Sequence, residues 1–370
     1  MTELYALSSA GQAPDPEDWR WQLQHSTRSL ADLERSLTLS PAEVEGAQAA
    51  ERAGLPIAIT PYYLSLIDAH DPACPIRLQV VPRAEELRIS PGDLRDPLGE
   101  EAHEVAPELI QRYPDRALLF VTDRCAVYCR FCTRSRIVGN GGGSRSLAKL
   151  EPAFDYLRAH PEVKDLIVSG GDVLTQSTDR IVQVLKALRE IPSIETIRLA
   201  TRVPVVLPQR INEELLSALR PFHPLWVMTH FNHPKELTPE ARAACNRLAD
   251  SGFPINNHTV LLRGVNDNAA VLTELFRGLV RERVRPYYLL QADPVQGTAH
   301  LRTPLAVGVE IMRQLQGRLS GIALPKFIVD TPHGHGKVPV YPDYIVERAP
   351  GRTRFLSPTG VLVDYLDPPL

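Results

Sequence analysis

The sequence predicts an α/β fold in which a partial, TIM-like (β/α)6 barrel follows a helical N-terminal extension. Short apolar segments alternate with longer segments of helical periodicity from residue 117 onward. Each apolar segment is too short for a helix, and most end in polar residues or glycine, as buried parallel strands do at their carboxyl ends. Six such repeats are fewer than the eight of a complete barrel. We therefore expect an incomplete barrel with its site at the strand carboxyl ends.

The composition is that of a globular protein that acts on small molecules. Hydrophobic residues make up 44% of the 370 residues, and the formal net charge is only -3. This balance provides no field that would attract nucleic acid or a membrane surface. No stretch approaches about 20 continuous apolar residues, and residues 1–15 lack a basic stretch followed by an apolar one. We expect a cytoplasmic protein with no nucleic-acid or membrane partner.

The chain divides into three predicted regions. Residues 1–107 form a helical N-terminal region, because Leu30, Leu33 and Leu37 recur at helical spacing and the segment 40–43 has a helix-start pattern. Residues 108–305 form the partial barrel. Residues 306–370 form a C-terminal segment that we expect to mediate formation of a homo-oligomer.

Predicted strands and helices alternate along the barrel. The strands are 117–122, 165–169, 196–201, 224–230, 255–262 and 285–291. The helices between them are 147–159, 179–190, 212–219, 239–251 and 269–283. A helix at 307–319 and a strand-like segment at 325–330 follow the barrel, and a glycine-rich turn comes after them.

Three cysteines follow the first predicted strand. Cys125, Cys129 and Cys132 have the spacing C-x3-C-x2-C, whereas Cys74 and Cys245 are isolated. A ferredoxin-type cluster and a structural zinc ion each require four ligands, so three thiolates indicate a 4Fe–4S cluster with one iron open to a substrate. The alternative is a zinc site completed by Cys74 or by a histidine. The cysteines provide no disulfide framework and suit a reducing compartment.

The cysteine spacing resembles the signature of the radical S-adenosylmethionine enzymes. In those enzymes the methionine group of S-adenosylmethionine binds the open iron. Ser169, Gly170, Gly171 and Asp172 end the second predicted strand, and they resemble the GGD/E motif, in which bare backbone lets the methionine amine approach. Alone, two glycines at a strand end indicate only a turn.

Motifs along nearly the whole chain resemble the lysine 2,3-aminomutase family. The matching segments are 112–116, 125–134, 169–172, 286–288, 291–293, 300–304 and 330–337. The resemblance implies a 4Fe–4S cluster, S-adenosylmethionine and pyridoxal phosphate as cofactors. It also implies conversion of L-lysine to β-lysine by a radical 1,2-amino shift. A radical suits this reaction, because no side chain removes an unactivated C–H proton near neutral pH.

The resemblance assigns roles to residues at both ends of the barrel. Lys337 matches the catalytic lysine that binds pyridoxal phosphate as a Schiff base, although its turn alone would indicate a surface lysine. Arg134 matches the arginine that binds the substrate carboxylate. Arg112, Tyr113 and Arg116 match residues near the cofactor phosphate. Ordinary ion pairing is the alternative for the two arginines Arg112 and Arg116.

Two histidines and two aspartates complete the predicted site. His230 would lie near the adenosine, with a histidine satisfied inside the barrel as the alternative, and His258 stands near the pyridoxal phosphate where many family members have glutamine. Asp293 and Asp330 match aspartates that hold the distal ammonium of lysine, as specificity for a basic side chain requires. A capping or turn role is the alternative for each aspartate.

Other functions remain open from the sequence. A relative could act on arginine, on glutamate, or on a protein-bound lysine of elongation factor P. A non-catalytic iron–sulfur or zinc-binding protein is an alternative from a different class. If the chain is the enzyme, we expect an electron donor of the flavodoxin or ferredoxin type.

Overall fold

The computed structural model describes residues 15–139 and 142–368. The segment 1–15, which was considered for the pattern of a leader, therefore lies almost entirely outside the described residues. Among the described residues, no helix combines the length and the apolar character needed to cross a bilayer.

The N-terminal region contains four short α-helices among its described residues. They are α1 (Trp19–Gln24), α2 (Leu30–Ser36), α3 (Pro41–Ala53) and α4 (Pro61–Leu64). The Ser40 side chain accepts from the Glu43 backbone N–H and the Glu43 side chain accepts from the Ser40 backbone, so a capping box begins α3. This confirms the predicted helix start.

The central sheet has ten strands whose order follows the chain. They are β1 (Glu104–Ala106), β2 (Leu109–Tyr113), β3 (Arg116–Thr122), β4 (Asp165–Gly170), β5 (Thr196–Ala200), β6 (Leu225–Thr229), β7 (Ile255–Leu261), β8 (Val284–Gln291), β9 (Lys326–Thr331) and β10 (Gly336–Pro339). Strands β3 to β9 are parallel, and the pairs at either end are antiparallel. The six predicted barrel strands are confirmed as β3 to β8. The segment predicted as strand-like after the barrel adds β9 as a seventh parallel strand.

Helices connect and cover the parallel strands. They are α5 (Leu147–Ala159), α6 (Thr178–Arg189), α7 (Val203–Val206), α8 (Glu213–Leu219), α9 (Pro239–Asp250), α10 (Ala269–Arg281) and α11 (Leu305–Leu315). Strand residues such as Leu119, Leu199 and Leu289 are fully buried and belong to one hydrophobic core with Leu185 of α6 and Leu275 of α10. Burial of these apolar faces is the main force that holds helices on the sheet.

Side chains bring the two ends of the sheet together. The backbone N–H of Lys337 on β10 donates to the Tyr113 hydroxyl on β2 at 2.9 Å. Arg112 on β2 donates to both carboxylate oxygens of Asp330 on β9 at 3.2 Å, and the His333 N–H donates to the Pro97 carbonyl at 2.8 Å. These contacts join the β2 side of the sheet to its β9–β10 side, as expected for a partial barrel.

The C-terminal segment ends in a separate three-stranded antiparallel sheet. Its strands are β11 (Ile345–Ala349), β12 (Arg352–Leu356) and β13 (Leu362–Leu366). Every residue of β13 is exposed, including Leu362, Tyr365 and Leu366.

Candidate active site

The predicted site residues gather at the carboxyl end of the parallel strands. The cysteine loop follows β3, Gly170 ends β4, His230 follows β6, His258 lies in β7, Asp293 follows β8, and Asp330 lies near the end of β9. The carboxyl ends of parallel strands share one edge of a sheet, which is where α/β barrels place their sites. The fold therefore collects residues that are far apart in the chain.

The three thiols of the cysteine loop act on one another electrostatically. Burial raises the pKa of Cys125 well above its usual range, and nearby Asp172 and the other two thiols raise it further. Burial and Cys129 raise the pKa of Cys132 to about 11. Ionisation of all three thiols would therefore be favoured by a bound cation, which offsets the repulsion between thiolates. The residues present therefore fit an iron–sulfur cluster.

A single metal ion finds no comparable site in the described chain. No group of three or more His, Cys, Asp or Glu side chains among the described residues has the spacing for one ion. Cys245 is buried on α9, and the Cys74 sulfur accepts from the Asp68 N–H at 3.5 Å.

Gly170 and Gly171 support the base of the cysteine loop. A Cβ on Gly170, whose φ is +131°, would lie 2.0 Å from the Thr122 carbonyl oxygen, and one on Gly171 would lie 2.3 Å from the Arg124 carbonyl oxygen. The Gly171 N–H donates to the Thr122 carbonyl at 2.7 Å. These glycines thus allow close backbone packing against the segment that begins the cysteine loop.

Ser169 and Asp172 are both engaged by protein groups. The Asp172 carboxylate accepts from the Thr201 hydroxyl at 2.6 Å and from the Arg202 N–H at 2.7 Å. Burial raises the pKa of Asp172, against the opposing effect of these hydrogen bonds. The Ser169 hydroxyl accepts from Arg134 at 3.4 Å. Asp172 therefore ties the end of β4 to the end of β5, and its cofactor contact stays a prediction.

Lys337 and Asp330 face each other across the β9–β10 hairpin. The two residues are directly paired in the antiparallel ladder, and the Lys337 ammonium contacts the Asp330 carboxylate. The Lys337 side chain is 29% exposed and that of Asp330 only 6%. Lys337, which its turn alone would indicate as a surface lysine, is thus partly buried and held against an acidic residue.

Asp293 supplies a second carboxyl group beside this pair. No hydrogen bond or ion pair within the described residues reaches the Asp293 side chain. Burial, and then the charge of Asp330, raise its pKa to about 7, although Lys337 and Arg112 act in the opposite direction. Two carboxylates that share a buried site disfavour each other's ionisation. The structure therefore brings the predicted acidic pair together.

Arg134 lies between the cysteine loop and the end of β4. Its guanidinium contacts Glu100 at 2.8 Å, and it lies over the Phe120 ring at 5.0 Å. Glu100 also pairs with Arg136 at 3.3 Å. Sequence reasoning missed Glu100, since nothing in its local pattern indicates a partner 34 residues away.

Arg112, Tyr113 and Arg116 occupy the β2–β3 hairpin beside Lys337. Arg112 is engaged by Asp330 and by the Leu98 carbonyl at 3.1 Å. The Arg116 guanidinium stacks on the Tyr113 ring at 3.9 Å and contacts Asp115 at 3.0 Å. The hairpin therefore places two cations beside the lysine, where their contact with a phosphate stays a prediction.

His258 presents an unpartnered nitrogen to the site. Its ring stacks with Tyr287 and Tyr288, and its Nε2 is buried without a hydrogen-bond partner among the described residues. Burial, and then the charge of Lys337, lower the pKa of His258 to about 3. A neutral ring with a free nitrogen near Lys337 fits an aromatic, polar cofactor such as pyridoxal phosphate.

His230 is buried next to the cysteine loop. Its ring lies 5.6 Å from that of Phe131, and its Nε2 is 3.1 Å from the Asn232 side-chain oxygen. Burial and the charge of Arg202 lower its pKa well below the usual range. The predicted contact with adenosine remains open, because the Asn232 bond also suits a satisfied barrel histidine.

The sequence places Arg202 among the candidate positions, at the carboxyl end of the third predicted strand, without indicating a role for it. This residue follows β5, and its Nη1 donates to the Cys129 sulfur at 2.7 Å. Its position directly after a parallel strand is the signal that marks it, because polar residues at that edge face the site, whereas its contact with Cys129 has no local signal in the sequence.

The sequence comparisons agree with this geometry. The radical SAM superfamily matches residues 119–275, and the family described as lysine-2,3-aminomutase matches residues 312–369. L-lysine 2,3-aminomutase of Fusobacterium nucleatum is 46% identical, over 95% of this chain and 82% of its own. The enzyme of the same name from Clostridium subterminale is 45% identical, over 100% of this chain and 88% of its own.

A relative with a different name also matches. Glutamate 2,3-aminomutase of Clostridioides difficile is 40% identical, over 95% of this chain and 84% of its own. These matches span the barrel, the cysteine loop and the C-terminal segment that carries Lys337. The chain therefore belongs to the lysine 2,3-aminomutase family of radical S-adenosylmethionine enzymes.

Proposed function

We propose that this chain is an aminomutase that converts L-lysine to β-lysine. The observation that carries the substrate assignment is the acidic pair of Asp330, which is buried, and Asp293, which is half-buried. Asp293 lacks a partner among the described residues, and its pKa is about 7. Burial is the main cause of this raised pKa and the charge of Asp330 the second, and a cation placed between the two carboxyl groups would offset the repulsion between them. The distal ammonium of lysine is such a cation, whereas glutamate would add a third carboxylate.

Three cofactors would be held by residues of the required chemistry. Cys125, Cys129 and Cys132 would hold a 4Fe–4S cluster, which together with S-adenosylmethionine supplies a carbon radical able to remove an unactivated hydrogen atom. Lys337 would hold pyridoxal phosphate, which supplies a carbon–nitrogen double bond through which an amino group can move to the neighbouring carbon. The phosphate would lie near Arg112 and Arg116.

Arg134 would bind the substrate carboxylate at the opposite end from the acidic pair. A guanidinium has five N–H donors, and Glu100 engages only Nε and Nη2. Nη1 points to Ser169 at the end of β4, so donors remain for a carboxylate. With both ends of lysine fixed, its second and third carbons have one orientation, which is the principal contribution a protein makes to such a reaction.

The Asp330 carboxylate would contact different cations in the cofactor-free protein and in the loaded protein. In this structure its carboxylate contacts the Lys337 ammonium and Arg112. If the Lys337 nitrogen were to hold the cofactor, its ion pair with Asp330 would be lost, and the Asp330 carboxylate would be available, with Asp293, to a substrate ammonium. Arg112 keeps Asp330 in place throughout.

We further propose an electron donor, a cytoplasmic location and a second copy of the chain as a partner. A one-electron donor of the flavodoxin or ferredoxin type would reduce the cluster, and a reducing cytoplasm would protect its thiols. A second copy of the chain would cover the exposed apolar residues of β13, because a flat edge strand rich in Leu, Val and Tyr is prone to pair with another strand.

The deciding experiment is a substrate competition. Anaerobically reconstituted protein with S-adenosylmethionine and pyridoxal phosphate is given equal amounts of L-lysine, L-arginine and L-glutamate, and the β-isomers are quantified. We expect β-lysine to dominate. Asp293→Asn should lower kcat/KM for lysine by an amount equivalent to about 2–5 kcal/mol. Predominant β-arginine or β-glutamate would contradict the substrate assignment.

A further inference from the structure

We propose that Arg202 is a positioning residue that fixes Cys129 and raises the reduction potential of the iron–sulfur cluster. The inference rests on the proposed binding of the cluster to the three cysteines. It adds a residue to the site that neither the motif nor the substrate contacts include.

The contact between Arg202 and Cys129 joins two distant parts of the chain. Arg202 follows β5, and Cys129 lies in the loop after β3, 73 residues earlier. The Nη1 group lies 2.7 Å from the sulfur, and the guanidinium also lies over the Phe131 ring at 5.6 Å. A charged N–H donor thus points directly at one of the three cluster ligands.

Arg202 is fixed by a buried network. Its Nη2 donates to Gln79 at 2.5 Å, to Glu236 at 2.8 Å and to the Tyr63 hydroxyl at 3.1 Å. Its Nε donates to the His230 carbonyl at 3.2 Å. The side chain is only 9% exposed, and that of Glu236 is fully buried. The guanidinium therefore has little freedom to leave the sulfur.

Glu236 is itself held by other donors. It accepts from the Tyr63 hydroxyl at 2.7 Å and from the Asn232 N–H at 2.6 Å. Because these contacts are buried, movement of Glu236 would leave several polar groups unsatisfied. The network therefore holds the Arg202 side chain in one position.

The charge of Arg202 favours the reduced cluster. Reduction adds one electron, and so one negative charge, to the cluster. Hydrogen bonds to the sulfurs and nearby positive charge stabilise that added charge and raise the potential. Burial limits screening of the interaction by salt. Electron delivery to the cluster is consequently easier with Arg202 in place.

Arg210 provides a matched control. It is also a fully buried arginine after β5, but it binds the Leu174 and Gln176 carbonyls and the Thr178 hydroxyl. It also stacks over Trp19 at 4.3 Å. Loss of Arg210 removes a buried arginine without removing a contact to a cysteine.

The test is an anaerobic redox titration of the reconstituted cluster without S-adenosylmethionine, followed by electron paramagnetic resonance. Iron content and thermal unfolding are measured on the same samples. For Arg202→Gln we expect the ratio of reduced to oxidised cluster at a fixed potential to fall about tenfold, equal to ~59 mV for a one-electron couple. Arg202→Lys, which keeps the charge, should lie between Arg202→Gln and the wild type. Arg210→Gln should keep the wild-type potential.

Each outcome decides the inference. An unchanged potential in Arg202→Gln, or an equal shift in Arg210→Gln, would overturn it. Should Arg202→Gln lose its iron while Arg210→Gln retains iron, the positioning role is supported, and Arg202→Lys then decides the potential. Wild-type protein that binds no cluster would instead overturn the proposed function.

Discussion

At the scale of single residues, Asp293 makes stability depend on pH. Its pKa is about 7 in the folded protein and about 3.9 in an unfolded chain. A carboxyl group with a raised folded-state pKa destabilises the fold as pH rises from about 4 to about 7, because the unfolded chain ionises first. Asp293→Asn should therefore stabilise the cofactor-free protein more at pH 8 than at pH 5, by about 2–3 kcal/mol.

Thermal unfolding at the two pH values checks this prediction. Asp179→Asn, which removes a carboxylate in the first turn of α6 away from the site, serves as the control for the substitution itself. Equal stabilisation by Asp293→Asn at both pH values would show that the carboxyl group is not perturbed.

Lys337 is the second residue with a direct spectroscopic readout. Lys337→Ala should abolish the visible absorbance of bound pyridoxal phosphate, because no other lysine stands at the β9–β10 hairpin facing Asp330. The matched control is Lys326→Ala on β9, whose side chain is exposed. Retention of the absorbance in Lys337→Ala would assign the cofactor to another lysine.

At the scale of elements, the conformation of the cysteine loop depends on the close packing of the end of β4 against the start of the loop. Gly170→Ala would place a methyl group 2.0 Å from the Thr122 carbonyl oxygen, which cannot be relieved without moving backbone. We expect a loss of about 1–3 kcal/mol or more in stability and a loss of bound iron after reconstitution.

Gly54→Ala is the comparison for this change. Gly54 also has a positive φ, +66°, but a methyl group at this position would meet nothing within 4 Å. The substitution should cost about 1–2 kcal/mol and leave the iron content unchanged. Equal iron loss in both variants would remove the specific role of the β4 end.

The strands and helices were largely predictable from the sequence. The periodicity of the apolar residues and the residues at the segment ends indicate the same elements. The predicted strand 117–122 became β3, and the predicted helix 147–159 became α5 without change of bounds. The position of β9 was not predictable, because a strand pattern does not say which sheet the strand joins. Its pairing with β8 depends on packing across the whole barrel.

The sequence named candidate residues for the site but not their contacts. The cysteine spacing carries its own local signal, whereas Lys337 and the two aspartates were assigned through the family resemblance. The partners of Arg134 and Cys129, namely Glu100 and Arg202, are set by tertiary structure. The resting contact of Lys337 with Asp330 likewise follows from hairpin register, which depends on the turn.

At the scale of the whole molecule, the C-terminal sheet should determine the oligomeric state. Leu362→Lys would place a charge on the exposed apolar strand β13, and we expect it to reduce the mass in solution measured by light scattering. Val105→Lys, at an exposed position on β1, should leave the mass unchanged. A wild-type protein that is already monomeric would contradict this part of the account.

The partial barrel matters because it joins the radical source and the amino-group chemistry in one site. The cysteine loop follows β3, whereas Lys337 lies on β10 at the other end of the sheet, and the contacts of Tyr113 and Arg112 bring these ends together. Tyr113→Phe would remove the hydroxyl that accepts the Lys337 N–H while keeping the ring under Arg116. The contacts between β2 and the β9–β10 hairpin thus lie beside Lys337 and Asp330, two of the candidate active-site residues.

The most direct test of the central claim follows a hydrogen atom of the substrate. L-lysine deuterated at its third carbon is converted in ordinary water, and the β-lysine is examined by nuclear magnetic resonance and mass spectrometry. A radical shift predicts that deuterium appears at the second carbon of the β-lysine, because the abstracted atom is returned without exchange with solvent. β-Lysine with only solvent hydrogen at that carbon, or no β-lysine at all, would contradict the account.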